Sequence, residues 1–354
     1  MTSKMKAKER ILQWARPEII ALKPYQSARQ EFVSNGREMI LLDANENPFN
    51  STVNRYPDPM QNKLKSRIAE AKGIDSNQIF LGNGSDEVLN QLMLVFCKPG
   101  KDKAILLPPT FGMYQVCANI NGVETLAVPL TKNFQLDVEA ILAAQDKHTK
   151  MIFIPSPNNP TGNCFEREDV IAILEGFKGL VVLDEAYVEF AAKYSCIDLL
   201  EQYSNLVVVQ TFSKAQGMAG VRLGMSFAHR QIIDLMNKVK APYNINTLTQ
   251  ELVLKRLEEQ GVVQQEVHQI LLEKERLLIE LPAISFIKTI YPSHANFFLI
   301  KVDKSKQRYN QLIERGIVVR NPSKNLNCAN TLRITVGTTE ENNALISALR
   351  TMDV

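Results

Sequence analysis

Along this chain, short and mostly apolar runs alternate with longer stretches of helical spacing. The runs are Ile79–Leu81, Ala104–Leu107, Glu124–Val128, Met151–Pro155, Leu180–Leu183, Leu206–Val209 and Leu223–Ala228. Runs this short, bounded by Gly, Pro and Asn, read as strands buried on both faces, as in a parallel sheet. Between them, Gln61–Lys72 and Glu87–Phe96 carry apolar residues at helical spacing, the first stopped by Gly73. Strands separated by helices predict an α/β fold with a doubly wound, mostly parallel sheet. After Ala241-Pro242-Tyr243-Asn244 the pattern changes. A helical tract runs to about Leu281, strands follow at Ala295–Val302, Ile317–Arg320 and Thr331–Val336, and a last helix covers about Glu340–Arg350. In the last strand Leu332, Ile334 and Val336 share one face and Arg333 lies on the other. At the start, Ile11, Leu12, Trp14 and Ala15 have helical spacing that Pro17 interrupts. The expected organisation is an arm over residues 1–40 that packs with the smaller unit, a large α/β domain over 41–240, and a small α+β domain over 241–354.

The 354 residues suffice for one large core plus a smaller one. A net charge of +3, with both signs interspersed, gives no footprint for nucleic acid or a membrane surface. No apolar run approaches membrane-spanning length. Lys4, Lys6, Lys8, Glu9 and Arg10 stand where a signal peptide needs an apolar core, so a cytoplasmic location is expected. Cys97, Cys117, Cys164, Cys196 and Cys328 form no CxxC pair, and the four histidines have no ligand spacing. Neither a disulfide framework nor a metal site is expected.

The chemistry lies at strand ends, where open α/β sheets bind their ligands. Gly82-Asn83-Gly84-Ser85-Asp86 joins a strand to a helix, whose free amides suit a phosphate; Ser85 or Asp86 would equally serve as a plain N-cap. Phe111, in Pro108-Pro109-Thr110-Phe111-Gly112-Met113-Tyr114, can lie on a flat ring or simply pack in the core. Ser156-Pro157-Asn158-Asn159-Pro160-Thr161-Gly162 offers donors to a ring oxygen, or only a turn. Asp184-Glu185-Ala186-Tyr187 puts an acid at the end of an apolar strand. Thr211-Phe212-Ser213-Lys214 places an amine beyond another, with Arg222 eight residues on. A lysine in cationic surroundings has a lowered pKa and attacks aldehydes, while Ser213 and Arg222 hold an anion beside it. Each signal is weak by itself. Together they supply what pyridoxal 5'-phosphate (PLP) requires: phosphate ligands, a carboxylate for the pyridine nitrogen, donors for the phenolic oxygen and an amine for the aldehyde.

The chain resembles the fold-type I PLP-dependent aminotransferases from Pro24 to about Arg350. The resemblance is carried by PYQSAR (Pro24–Arg29), NRYP (Asn54–Pro57), PPTFGMY, SPNNPTG, DEAYVEF, TFSKAQGMAGVRLG and LRITVG. It implies a seven-stranded, mostly parallel sheet between helices, plus a smaller α+β domain. It implies that Lys214 bonds the cofactor aldehyde and later shuttles the substrate proton, and that Asp184 pairs with the pyridine nitrogen. Tyr187 and Asn159 would hydrogen-bond the phenolic oxygen and Phe111 would stack on the ring. Ser85, Asp86, Ser213 and Arg222, with Thr211, would line the phosphate pocket. Tyr56 matches a tyrosine that reaches the neighbouring subunit's cofactor, which implies a homodimer with shared sites. Arg333 matches the arginine that binds the substrate anion, and Tyr25, Asn45, Tyr243 and Arg320 match positions near the substrate. The implied activity is amino transfer from L-histidinol phosphate to 2-oxoglutarate, giving imidazole-acetol phosphate and glutamate. Transfer from aromatic amino acids and decarboxylation of a phosphorylated amino acid stay open. Two positions depart from the family pattern: Phe111, where tyrosine is frequent, and Gln216, where an apolar residue is frequent.

Overall fold

The computed structural model describes residues 10–27 and 39–353. The main sheet contains β1 (Ile79–Asn83), β2 (Lys103–Leu106), β3 (Glu124–Ala127), β4 (Thr149–Pro155), β5 (Leu180–Asp184), β6 (Leu206–Thr211) and β7 (Leu223–Ala228). Their order is β1-β7-β6-β5-β4-β2-β3. Strands β2 to β6 pair in parallel. Strand β7 runs antiparallel to both of its neighbours, so the other six point one way and β7 points back.

The apolar runs are continuous because both faces of this sheet are covered. Along β4 and β5, Ile152, Ile154, Val181 and Leu183 enter one core. Their neighbours Met151, Phe153, Leu180 and Val182 enter the other. Alternate side chains point to opposite faces, so a strand between two helical layers has no solvent-facing position to fill with a polar residue. Each fully buried side chain of this size contributes about 1.5–3 kcal/mol on leaving water.

Helical structure covers residues 10–14 at the start of the described chain, and the helices after it are α1 (Pro17–Ala21), α2 (Asn62–Lys72), α3 (Ser85–Phe96), α4 (Met113–Ile120), α5 (Val138–Ala144), α6 (Arg167–Gly176), α7 (Arg230–Val239), α8 (Thr247–Glu258), α9 (Gln260–Glu280), α10 (Ser305–Glu314) and α11 (Thr339–Thr351). Among the described residues, no helix is long and apolar enough to cross a membrane. A second, antiparallel sheet has the order β10 (Thr331–Thr335), β9 (Phe297–Val302), β8 (Ile287–Ile290). It has its own core, built on Leu277, Phe298, Ile300, Leu332, Ile334 and Leu349.

Two expectations need correction. Residues 317–319 are not a strand; only Arg320 pairs, exchanging hydrogen bonds of 3.0 and 2.8 Å with Arg333. Pro322 follows closely and has no N–H with which to extend a ladder. The described part of the N-terminal arm does not pack with the small unit. Pro17 stands at the start of α1, where its missing N–H costs nothing, so it opens a helix as well as ending the one before. Ile11, Ala15 and Ile19 then bury themselves with α3 and α7 on the main sheet. Arg16 N–H donates to Val95 O at 3.0 Å, and Lys238 Nζ donates to Ile20 O at 2.8 Å. The Ala28 and Arg29 end of the PYQSAR stretch lies outside the described residues.

Candidate active site

A cavity of about 750 Å³ opens at the carboxyl ends of β4, β5 and β6. It is lined by Ser85, Asp86, Phe111, Asn159, Asp184, Tyr187, Thr211, Ser213, Lys214, Arg222, Arg320 and Arg333. Twelve residues spread over nearly 250 positions of sequence thus converge because the sheet brings its strand ends together.

One end of the cavity is built for an anion. Gly84, at φ 83°, is the N-cap of α3, with Ser85 the first residue of the helix. Asn83 N–H donates to the Glu87 carboxylate, which closes the turn. Gly82 pairs with Gly224 across β1 and β7. A methyl group on Gly224 would lie 2.1 Å from Ser85 N, and one on Gly84 would lie 2.5 Å from Arg222 Nη2. The helix start can approach β7 only because Gly224 has no side chain, and the bare Gly84 leaves room for the Arg222 guanidinium. Arg222 sits at φ 58°, a left-handed conformation, and its guanidinium lies 3.6 Å from Asp86. Ser213 N–H donates to Thr211 Oγ1 at 3.1 Å, and Thr211 in turn reaches Leu223 O at 3.2 Å.

At the centre, Asp184 ends β5 and is buried. Burial pushes its carboxyl up to about 6, while the Tyr114 hydroxyl and the Ala186 amide hold it down. Tyr114 Oη donates to Oδ2 at 2.7 Å and Ala186 N–H to Oδ1 at 3.1 Å. The Lys214 ammonium stands 5.3 Å from the centre of the Tyr187 ring. Desolvation, then Arg333, lower its pKa, which increases the share of nucleophilic free amine. The Tyr187 phenol is pushed up to about 12, chiefly by burial, and so remains a hydrogen-bond donor at neutral pH.

At the far end, Arg333 projects from β10, half-buried. Its Nη1 donates to Asn159 Oδ1, its Nε is buried without a partner, and its Cζ lies 5.1 Å from the centre of the Phe297 ring. Arg320, pinned beside it, is exposed. Gln216, the polar departure from the family pattern, is buried and accepts from Gln260 Nε2 at 3.4 Å.

The family pattern described as "Aminotransferase class I and II" matches residues 38–349. This chain belongs to the class I and II aminotransferases. It is 51% identical to the histidinol-phosphate aminotransferase of Flavobacterium johnsoniae over 339 residues, 96% of this chain and 97% of the relative. It is 50% identical to the histidinol-phosphate aminotransferase of Christiangramia forsetii over 338 residues, with the same shares. The crystal structure of the histidinol-phosphate aminotransferase from Clostridium acetobutylicum superposes with a TM-score of 0.79 at 25% identity, covering 85% of this chain and 91% of that one.

The cavity of this aminotransferase fits PLP on its own chemistry. A helix start and Arg222 could hold its phosphate, the buried Asp184 carboxylate could pair with its pyridine nitrogen, and Lys214, of lowered pKa, could take its aldehyde. Tyr56, Asn45 and Tyr243 are not brought to it within the chain. They line a separate cavity of about 540 Å³. There Tyr56 stacks on Tyr243, ring centres 4.4 Å apart and planes within 17°, and Tyr56 N–H donates to Glu46 Oε1 at 2.6 Å. Tyr25 is 72% exposed and lines neither cavity. Sequence reasoning missed the partner of Asp184. Tyr114 stands three residues after Phe111, on the first turn of α4, in the same Pro108–Tyr114 stretch.

Proposed function

We propose that this aminotransferase transfers the amino group of L-histidinol phosphate to 2-oxoglutarate. The observation that carries the reading is near-full-length identity of about half to enzymes named for that donor. The cavity supports it with two separate cationic ends, Arg222 with the Ser85 turn and Arg333 with Arg320. One suits a cofactor phosphate and the other the anion of the substrate.

PLP, when bound, supplies the electron sink for breaking the bond from the substrate α-carbon to hydrogen. The chain's residues do the rest. Asp184 would hold the proton on the pyridine nitrogen. Tyr187 and Asn159 would donate to the phenolic oxygen, and Phe111 would cover one face of the ring. Lys214 would hold the cofactor through its aldehyde and would carry the α-proton of the substrate. Ser85, Asp86, Ser213, Thr211 and Arg222 line the phosphate subsite, and Arg333 and Arg320 receive the substrate anion. The Asn159–Arg333 hydrogen bond links the last two tasks.

The enzyme is placed in the cytoplasm as a homodimer with shared sites. Support comes from Val53, Tyr56 and Leu248, which line the second cavity and are 50%, 51% and 58% exposed. Tyr56 would serve the neighbour's phosphate, and Tyr25, Asn45 and Tyr243 its substrate. We assign residues 41–240 to the large unit and 241–354 to the small one, with Ile245 and Val253 of the second stretch entering the core of the main sheet. Purified protein with PLP should form glutamate from 2-oxoglutarate and L-histidinol phosphate with far higher kcat/KM than from phenylalanine. A preference for phenylalanine would replace the donor assignment, and carbon dioxide release would replace the reaction.

A further inference from the structure

We propose that Tyr114 is a positioning residue, its hydroxyl orienting the Asp184 carboxylate toward the pyridine nitrogen and keeping it charged. The proposal deepens the assignment of Asp184 above and rests on it. Tyr114 is wholly buried, on the first turn of α4, and its hydroxyl donates to Asp184 Oδ2 at 2.7 Å. Its ring is fixed on two sides. It stacks on Phe153 at 4.9 Å with planes 17° apart, and meets Phe111 edge to face at 5.6 Å. The phenol therefore cannot turn away without opening the core between α4 and β4.

The charge balance around Asp184 makes this donor matter. Burial and Asp86 disfavour the ionised carboxyl, and Lys214 favours it. The phenols of Tyr114 and Tyr187 also face it. Of these groups, Tyr114 hydrogen-bonds the carboxylate directly, donating to Oδ2; the Ala186 N–H donates to the other oxygen, Oδ1. Burial pushes the Tyr114 phenol far up, so it stays protonated and donates to the ionised carboxylate, which can only accept. One chain turn thus delivers Phe111 to the face of the ring and Tyr114 to the group behind its nitrogen. A carboxylate that lost this donor would point less surely and hold its charge less well.

The test is a double-mutant cycle on the dissociation constant of the full chain for PLP, using Tyr114→Phe, Asp184→Asn and both together. Phenylalanine keeps the ring and its packing. A hydrogen bond to a charged group corresponds to about tenfold to a hundredfold in affinity, which is the weakening expected for Tyr114→Phe alone. In the Asp184→Asn background the same change should cost less than about threefold, because Tyr114 acts through the carboxylate. The 15N resonance of the bound PLP ring nitrogen should move toward neutral pyridine in Tyr114→Phe. Additive losses, or an unmoved 15N resonance, would reduce Tyr114 to a packing residue and overturn the proposal. Normal PLP affinity in Asp184→Asn would instead overturn the role of Asp184 itself. Near-UV dichroism checks folding. Should Tyr114→Phe not fold, a protected hydroxyl proton coupled to the Asp184 carboxyl in the wild-type holoenzyme decides the matter, and its absence counts against the proposal.

Discussion

Arg333 and Arg320 stand side by side, yet their removal should have unequal effects. Arg333 is half-buried. One of its terminal nitrogens already holds Asn159 and its Nε is buried with no acceptor, so it has donors in place for an incoming anion. Two charge-assisted hydrogen bonds at about 1.5–3 kcal/mol each correspond to at least about a hundredfold in kcat/KM. Arg320 is exposed. A solvated charge pair contributes about 0.2–1 kcal/mol, or roughly two- to fivefold, and salt screens it. Arg333→Ala should therefore lower kcat/KM at least about a hundredfold with both L-histidinol phosphate and glutamate, because both half-reactions use one anion subsite. Arg333→Lys should recover only part of this, since an ammonium keeps the charge and loses the planar fork. Arg320→Ala should cost only a few-fold with histidinol phosphate, and less at 0.5 M salt than at 50 mM. Steady-state kinetics on the three variants and the wild type, with both donors at both salt levels, provide the measurement. A larger loss in Arg320→Ala than in Arg333→Ala would refute the argument from burial. Full retention of glutamate turnover in Arg333→Ala would refute the shared subsite.

Four further outcomes follow from the same geometry. Borohydride reduction of the PLP-loaded protein should fix the label on Lys214, and peptide mapping to any other lysine would displace it from its central role. In PLP-free protein, the Asp184 carboxyl at about 6 lies above its ordinary 3.8, so the folded state holds the extra proton. Its contribution is therefore lost as pH rises from about 4 to about 6, and Asp184→Asn should be more stable than the wild type by on the order of 3 kcal/mol at pH 8, converging near pH 4 in urea titrations. Gly224→Ala places a methyl group 2.1 Å from Ser85 N, well inside ordinary contact, and should lower stability by about 1–3 kcal/mol and weaken PLP binding together. Mixing Lys214→Ala with Tyr56→Ala subunits should yield activity above either parent, and none in verified heterodimers would count against shared sites.

What the sequence disclosed divides along a physical line. The strands of the main sheet were legible because burial on both faces leaves unbroken runs such as Leu180–Leu183 and Leu206–Val209. The residues at their ends were legible because polar groups there need a reason. Contacts that depend on folding were not. The Asn159–Arg333 bond joins positions 174 residues apart, and nothing local announces it. Tyr114 carries one polar atom at the end of a ring, and nothing in its local sequence shows that the atom meets Asp184, 70 residues on. Ile317–Val319 has the composition of a strand, but Pro322 prevents the ladder and leaves a single bridge. The arm's apolar spacing was right, while the face it covers depends on α3 and α7, which the arm's own sequence cannot specify.

The reversed course of β7 has a consequence for how the two ends of the Lys214 loop are held. Had the chain crossed over from β6 to another parallel strand, Lys214 and Arg222 would sit at opposite margins of the sheet. Because β7 points back, the polypeptide leaves and re-enters at the same margin. The segment from Phe212 to Arg222 becomes a hairpin loop tied at its base, where Thr211 faces Gly224 and Phe212 N–H reaches Leu223 O at 3.0 Å. Lys214 and Arg222, the proposed amine and phosphate-binding cation, therefore stand on one loop with one base. The base from which both groups project is set by the pairing of β6 with β7, whose residues are buried throughout.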